Sequence, residues 1–208
     1  MQQKTAAGHL ISLFTILVWG TTFISSKILL ADFSPVEILF IRFFIGFIAL
    51  IFFYPHRFRP QERKHELYFM GAGICGVTLY YLLENIALTY SFASNIGVIV
   101  SIAPFFTAIL AHFFLSSERL RPQFFIGFVA AISGIALISF NGATALQLNP
   151  LGDLLAVLAA AIWGVYSILV RKIADFGYHT VQSTQRIFFY GIVFMIPALF
   201  LMDFHPDW

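Results

Sequence analysis

The chain alternates long apolar runs with short polar breaks, and the runs have the length of bilayer crossings, which need roughly 20 residues each. Seven such runs stand out: His9–Leu30, Pro35–Tyr54, Leu67–Tyr90, Ala93–Leu115, Pro122–Phe140, Pro150–Ile173 and Val181–Met202. Between Asn85 and Ser117 there is no Asp, Glu, Lys or Arg. That stretch exceeds one crossing, so a break must lie inside it, and the polar segment Thr89–Asn95 is where two helices can meet. All seven runs predict helix, because a spanning segment must satisfy its backbone groups internally.

Local signals set the ends. Pro35 follows a tight turn at Ala31–Ser34 and starts a helix at no hydrogen-bond cost. Pro104 falls in the middle of the fourth run and removes one helical bond, so it is expected to face protein or a cavity. The fifth run carries Gly127, Ala130, Ala131, Ser133, Gly134 and Ala136, small residues that permit close helix packing. Ser94 is placed to cap the fourth helix. The loop Pro55–Glu66 is basic, and Asn141–Asn149 is an uncharged turn.

Composition agrees with the pattern. Of 208 residues, 60% are hydrophobic, 26 are Phe and only 11% are charged, against about 25% charged in a soluble domain. The expected class is all-α, a polytopic membrane protein. The first run is too long for a signal peptide, lacks a small-residue cleavage site and is followed by more spans. The lone Cys75 lies within an apolar run and rules out an internal disulfide.

The positions of the charges say more than the net +2. With the N-terminus inside, the cytoplasmic segments hold Lys4, Arg57, Arg59, Arg63, Lys64, Arg119, Arg121, Arg171 and Lys172. The other basic residues, Lys27, Arg42 and Arg186, fall inside spans. External loops keep none, which predicts an N-in orientation.

Displacing the chain by 144 residues lays Trp19-Gly20 on Trp163-Gly164, Lys27 on Arg171, Arg42 on Arg186 and Phe44 on Phe188. Spans six and seven thus read as a second copy of spans one and two. Five spans per unit is an odd number, so the second copy enters the membrane from the opposite side, as in transporters built from inverted repeats. A complete second unit would need three more spans, and the chain is expected to be a fragment of one.

Several segments resemble the EamA-type domain of the drug/metabolite transporter superfamily. Trp19-Gly20 with Lys27, Pro35 and Arg42 is similar to its opening. Leu88-Thr89-Tyr90-Ser91-Phe92-Ala93-Ser94, Pro104 and Glu118-Arg119-Leu120 are similar to its middle, and Gly127, Gly134 and Ile135 to its end. Leu151-Gly152-Asp153-Leu154 and Ala161-Ile162-Trp163-Gly164 look like the start of a second copy. The resemblance implies ten spans in two inverted five-helix repeats, seven of them here: a first repeat over 9–140 and a second over 150–208, cut after two helices. It also implies a central substrate cavity, export of small metabolites, amino acids or drug-like compounds, and a place in the bacterial cytoplasmic (inner) membrane. Glu84 is not carried by that resemblance.

The residues suggest where chemistry can occur. Glu84 is an acid in an apolar zone, costly unless neutral, paired or wet. Either it lines the cavity, taking a proton or pairing with a cationic substrate, or it lies close enough to the external face to be hydrated. Tyr80 and Tyr81 share its neighbourhood and form a polar wall or interfacial anchors. Lys27 and Arg42 lie on adjacent spans, with Glu37 able to pair with either. Arg42 is a cavity residue for an anionic group, or a charge that fixes packing. Trp19 and Trp163 sit mid-span, where an indole N–H needs a partner. Asn85 and Asn95 flank the turn between spans three and four, and either cap helices or bond substrate. Glu118-Arg119, Arg171, Lys172 and Arg186 read as structural or topological, and His112 as a weak proton-relay candidate.

Other chemistry is not supported. No phosphate-binding Gly-rich loop appears, so no nucleotide motor is encoded. One cysteine and six scattered histidines give no metal spacing, and no nucleophile–base set can be argued, so the chain is not expected to be an enzyme and needs no cofactor. Expected partners are lipid, an unknown small molecule, and protons or another ion; a homodimer is a candidate assembly, and the basic loop is too short to suggest nucleic acid. The reading is a secondary transporter working by alternating access, with a non-transporting membrane scaffold as the alternative.

Overall fold

A computed structural model describes residues 2–56, 58–115, 120, 122–140 and 149–201. Within them the chain is all helix and turn: α1 Gln2–Leu29, α2 Pro35–Phe53, α3 Arg63–Tyr90, α4 Ala93–Phe114, α5 Pro122–Phe140, α6 Pro150–Asp175 and α7 Thr180–Leu201. α1 to α4, α6 and α7 combine the length and apolarity needed to cross a bilayer, and α5 is an uncharged apolar helix of 19 residues. Arg57, Glu118, Arg119 and Arg121 lie outside the described residues, as does the turn before Asn149.

The ends follow local chemistry. Ser34 caps α2 by accepting from Glu37 N (3.3 Å), and the Glu37 carboxylate accepts from Ser34 N (2.7 Å) in return. Glu37 therefore completes a capping box instead of pairing with Lys27 or Arg42. Asn149 caps α6 by accepting from Gly152 N (3.3 Å), with Pro150 in the first turn. The turn from α6 to α7 passes through Gly177 at φ 75°, a left-handed position that favours glycine.

Three boundaries differ from expectation. α1 begins at Gln2, not His9, and α3 begins at Arg63, which moves Arg63 and Lys64 from the basic loop into the first helical turn. Lys27 does lie near the span end, as expected, two residues inside the end of α1. Ser94 does not cap α4: Phe92 occupies the cap position without a side-chain bond, and Ser94 already lies within the helix and is exposed.

Two helices are interrupted where they cross others. In α3, Gly73–Leu79 is wound as a π-helix, an arrangement often found at functional sites. A Cβ on Gly76 would stand 2.2 Å from the Tyr166 ring, and one on Gly73 2.7 Å from Gly191 N. The glycines thus let α6 and α7 approach the α3 backbone, and Thr78 Oγ1 donates to Gly191 O (2.9 Å) across the contact. α4 is broken at Ser101–Ile102, between Ala93–Val100 and Ala103–Phe114. Pro104 stands in the first turn of the resumed helix, where its missing N–H costs least.

Contacts fix the helix directions. Gly71 faces Leu169, Gly76 faces Tyr166 and Gly152 faces Ala87 and Tyr90, so α3 and α6 are antiparallel. Lys27 reaches Leu88 and Ser91, while Trp19 touches Tyr81 eight residues upstream, so α1 runs parallel to α3 and opposite to α6. Gln185 donates to Leu50 O and Tyr54 O (both 2.8 Å), and Phe188 packs on Gly46 and Phe43, so α2 and α7 are antiparallel. The two pairs matched by the 144-residue offset therefore run in opposite directions.

Two apolar cores hold the bundle. One joins α2, α3, α6 and α7 through Leu39, Phe43, Phe69, Val77, Ile173, Ile187 and Met195. The other joins α3, α4 and α6 through Ala87, Leu88, Ile96 and Ala156, with Phe23 of α1 and Leu30 in the turn after it against that core. Along α3, residues 80–84 fall between the two cores, where the packing leaves a gap. The outer face of α1 is apolar and exposed at Leu10, Ile11, Phe14 and Leu17, as a lipid-facing surface would be.

Candidate functional site

The gap is a cavity of about 550 Å³, within the range of small-molecule sites. α1 contributes Ile16, Trp19, Gly20, Thr22 and Phe23; α3 contributes Tyr80, Tyr81 and Glu84. The broken part of α4 contributes Gly97, Val100, Ser101, Ala103 and Pro104, and α6 contributes Trp163. The π-turns of α3 end at Leu79, immediately before Tyr80, and the break in α4 lies within the lining. Both interruptions border the cavity.

Its wall is a run of four rings. Trp19 meets Trp163 edge to face with centroids 5.3 Å apart. Trp163 meets Tyr80 at 4.6 Å, and Tyr80 meets Tyr81 at 4.8 Å. The Trp19 indole lies beside the Tyr81 hydroxyl. Glu84 is only 3% exposed, and Tyr80, one turn back on the same helix face, lies beside its carboxylate.

The remaining expected residues lie outside the lining. The Arg42 guanidinium donates to Ser26 Oγ (2.6 Å) and lies 5.7 Å from the Tyr81 ring centre, so it acts on Glu84 through space. Lys27 Nζ bonds Leu88 O and Ser91 O (3.0 Å for the latter), placing a cation at the carboxyl end of α3. Asn85 donates to Pro35 O (3.1 Å), tying α3 to the start of α2. Asn95 is half-buried in the first turn of α4, and His112 lies in the last turn of that helix. Arg171 and Lys172 close α6, with Lys172 Nζ 6.0 Å from the Tyr68 ring centre.

One polar cluster was not anticipated. At the end where α3 and α7 begin, Glu66 pairs with Arg186 Nη2 (2.7 Å) and Nε (3.1 Å), and Tyr190 donates to Glu66 (2.6 Å). His65 stacks on Phe176 with centroids 3.7 Å apart and bonds the Tyr178 hydroxyl (2.8 Å). Arg186 is thus half of an ion pair. Its partner lies 120 residues away, in a stretch that reads as loop.

A profile of the EamA-like transporter family matches residues 6–140. An uncharacterized transporter of Archaeoglobus fulgidus is 27% identical, over 98% of this chain and 70% of its own length. A probable amino-acid metabolite efflux pump of Escherichia coli is 25% identical over 78% of this chain and 53% of its own. A probable terminal-alkyne amino-acid exporter of Streptantibioticus cattleyicolor is 25% identical over 89% and 61%. A solved crystal structure superposes with a TM-score of 0.69 at 23% identity, covering 96% of this chain and 68% of the other, which is a likeness of fold. The chain therefore spans about half to 70% of the lengths of these proteins.

Proposed function

Because this chain belongs to the EamA-like transporter family, whose members are transporters and not enzymes, we propose that it carries a small organic solute across the cytoplasmic membrane by alternating access around the cavity. The observation that carries this reading is the meeting of Trp19 and Trp163. These are the residues that the internal offset places in register, they come from antiparallel helices, and their contact forms part of the cavity wall. A pathway between two inverted like units is the arrangement in which exchange of their conformations opens one face and closes the other. The antiparallel pairing of α1 with α6 and of α2 with α7 supports two inverted repeats, with three further helices completing the second.

The solute class is small metabolites, amino acids or drug-like compounds, and the direction is outward, as the printed names of two relatives suggest for those proteins. The N-terminus is cytoplasmic in this account, in accord with the placement of the basic residues. The Glu66–Arg186–Tyr190 cluster then ties α3 to α7 near the cytoplasmic face, and its release would belong to the inward-opening step. A substrate gradient or an ion gradient supplies the energy, with Glu84 as the coupling group if the ion is a proton.

The test is flux in proteoliposomes across a panel of radiolabelled metabolites. Saturable uptake that falls sharply in Trp163→Ala supports the proposal. Absence of saturable flux across the panel favours a scaffold.

A further inference from the structure

We infer that the cavity selects an organic amine, its ammonium seated at Glu84 among the rings of Trp19, Trp163 and Tyr80 and its apolar body along Phe23 and Val100. This rests on the cavity being the solute site and narrows the class that it admits.

The argument is an inventory of donors and acceptors. Among the described lining residues Glu84 is the one ionisable acid or base apart from the tyrosine hydroxyls. The hydroxyl protons of Thr22 and Ser101 are committed to backbone, at Trp19 O and Val98 O. The remaining donors of the lining, the Tyr80 and Tyr81 hydroxyls and the Trp19 and Trp163 indoles, are neutral and belong to the ring wall beside the acid. The side chains nearest the acid therefore present one carboxylate, ring faces and neutral hydroxyl and indole groups, with no cation among the described lining residues. An ammonium brings three donors to such a surface, and ring faces attract a cation most where water is excluded. A carboxylate finds no cationic side chain among the described lining residues, since Arg42 and Lys27 both lie outside them. An amino acid can satisfy its amine here but must leave its carboxylate unmatched, and an unpaired charge in a dry site is strongly disfavoured. The volume of about 550 Å³ accommodates a monocyclic amine with room to spare.

Equilibrium binding to the purified chain in lipid nanodiscs tests this with three radiolabelled probes of one ring and one chain length: 2-phenylethylamine, phenylalanine and 3-phenylpropionate. The expected result is saturable amine binding at least about tenfold tighter than that of phenylalanine, with the propionate weakest. Glu84→Gln should lower amine affinity by about tenfold or more; monodisperse elution of the variant confirms folding, and the wild-type ranking stands as a test without it. Phenylalanine or phenylpropionate binding as tightly as the amine overturns the inference and leaves the cavity as a solute site. No saturable binding of any probe overturns the inference as well. Flux of other solutes in proteoliposomes then decides the transport reading independently.

Discussion

Trp19 and Trp163 meet edge to face at 5.3 Å across two antiparallel helices, although 144 residues separate them in the chain. An aromatic pair in this geometry adds about 0.5–1.5 kcal/mol beyond the area it buries. Single and double leucine variants, compared by thermal unfolding in detergent, should show a coupling energy of that size. Strictly additive losses would mean that the rings are neighbours without being partners.

The close crossing of α3 and α7 gives a sharper packing test. A Cβ on Gly191 would lie 2.3 Å from Val77 Cγ1, a clash with a stiff, branched side chain. Gly191→Ala should destabilise the protein by about 1–3 kcal/mol. Val77 Cβ would itself stand 2.4 Å from the added carbon, so Val77→Ala should recover only a small part of the loss and Val77→Gly more of it. A Gly191→Ala variant that unfolds at the wild-type temperature would show that the helices sit further apart.

Arg186 should report on the tie between α3 and α7. Arg186→Gln leaves Glu66 with the Tyr190 hydroxyl alone and should cost about 1–2 kcal/mol, moderated because the pair is partly solvent-exposed. In transport assays the same variant should raise reaction of a thiol probe in the cavity from the cytoplasmic side. The exchanged pair Glu66→Arg with Arg186→Glu should restore the wild-type rate. Unchanged labelling in the single variant would remove the pair from any gating step.

Lys27 makes a different prediction, since it holds the end of α3 and not the cavity. Lys27→Met frees the carbonyls of Leu88 and Ser91 and should lower stability by about 1–3 kcal/mol. The ranking of bound solutes should stay the same. A change in that ranking without a loss of stability would make Lys27 part of the binding site.

Much of the architecture could be read from the chain because a bilayer enforces length and apolarity segment by segment. The seven runs became seven helices, and the match between Trp19 and Trp163 was visible as an offset before any contact was known. The finer errors share one cause. Glu37 reads as a free acid from composition, but its position three residues after Ser34 makes it a capping partner, and the S-x-x-E spacing was there to be used. Glu66 reads as loop because its neighbours are basic, yet helix α3 extends outward past the apolar run and carries it against Arg186. The π-turns of α3 leave no mark in hydropathy. Only Gly73 and Gly76, three residues apart, hint that another backbone comes close.

The central claim is that one cavity communicates in turn with both sides of the membrane. Ser101 lines that cavity, so a Ser101→Cys variant in a Cys75→Ser background places a single thiol within it. Its reaction with a membrane-impermeant thiol reagent is measured from inside and, separately, from outside in oriented vesicles. Alternating access predicts labelling from both sides, with the cytoplasmic rate the slower and raised by Arg186→Gln. Labelling from one side only, unchanged by Arg186→Gln, would contradict it.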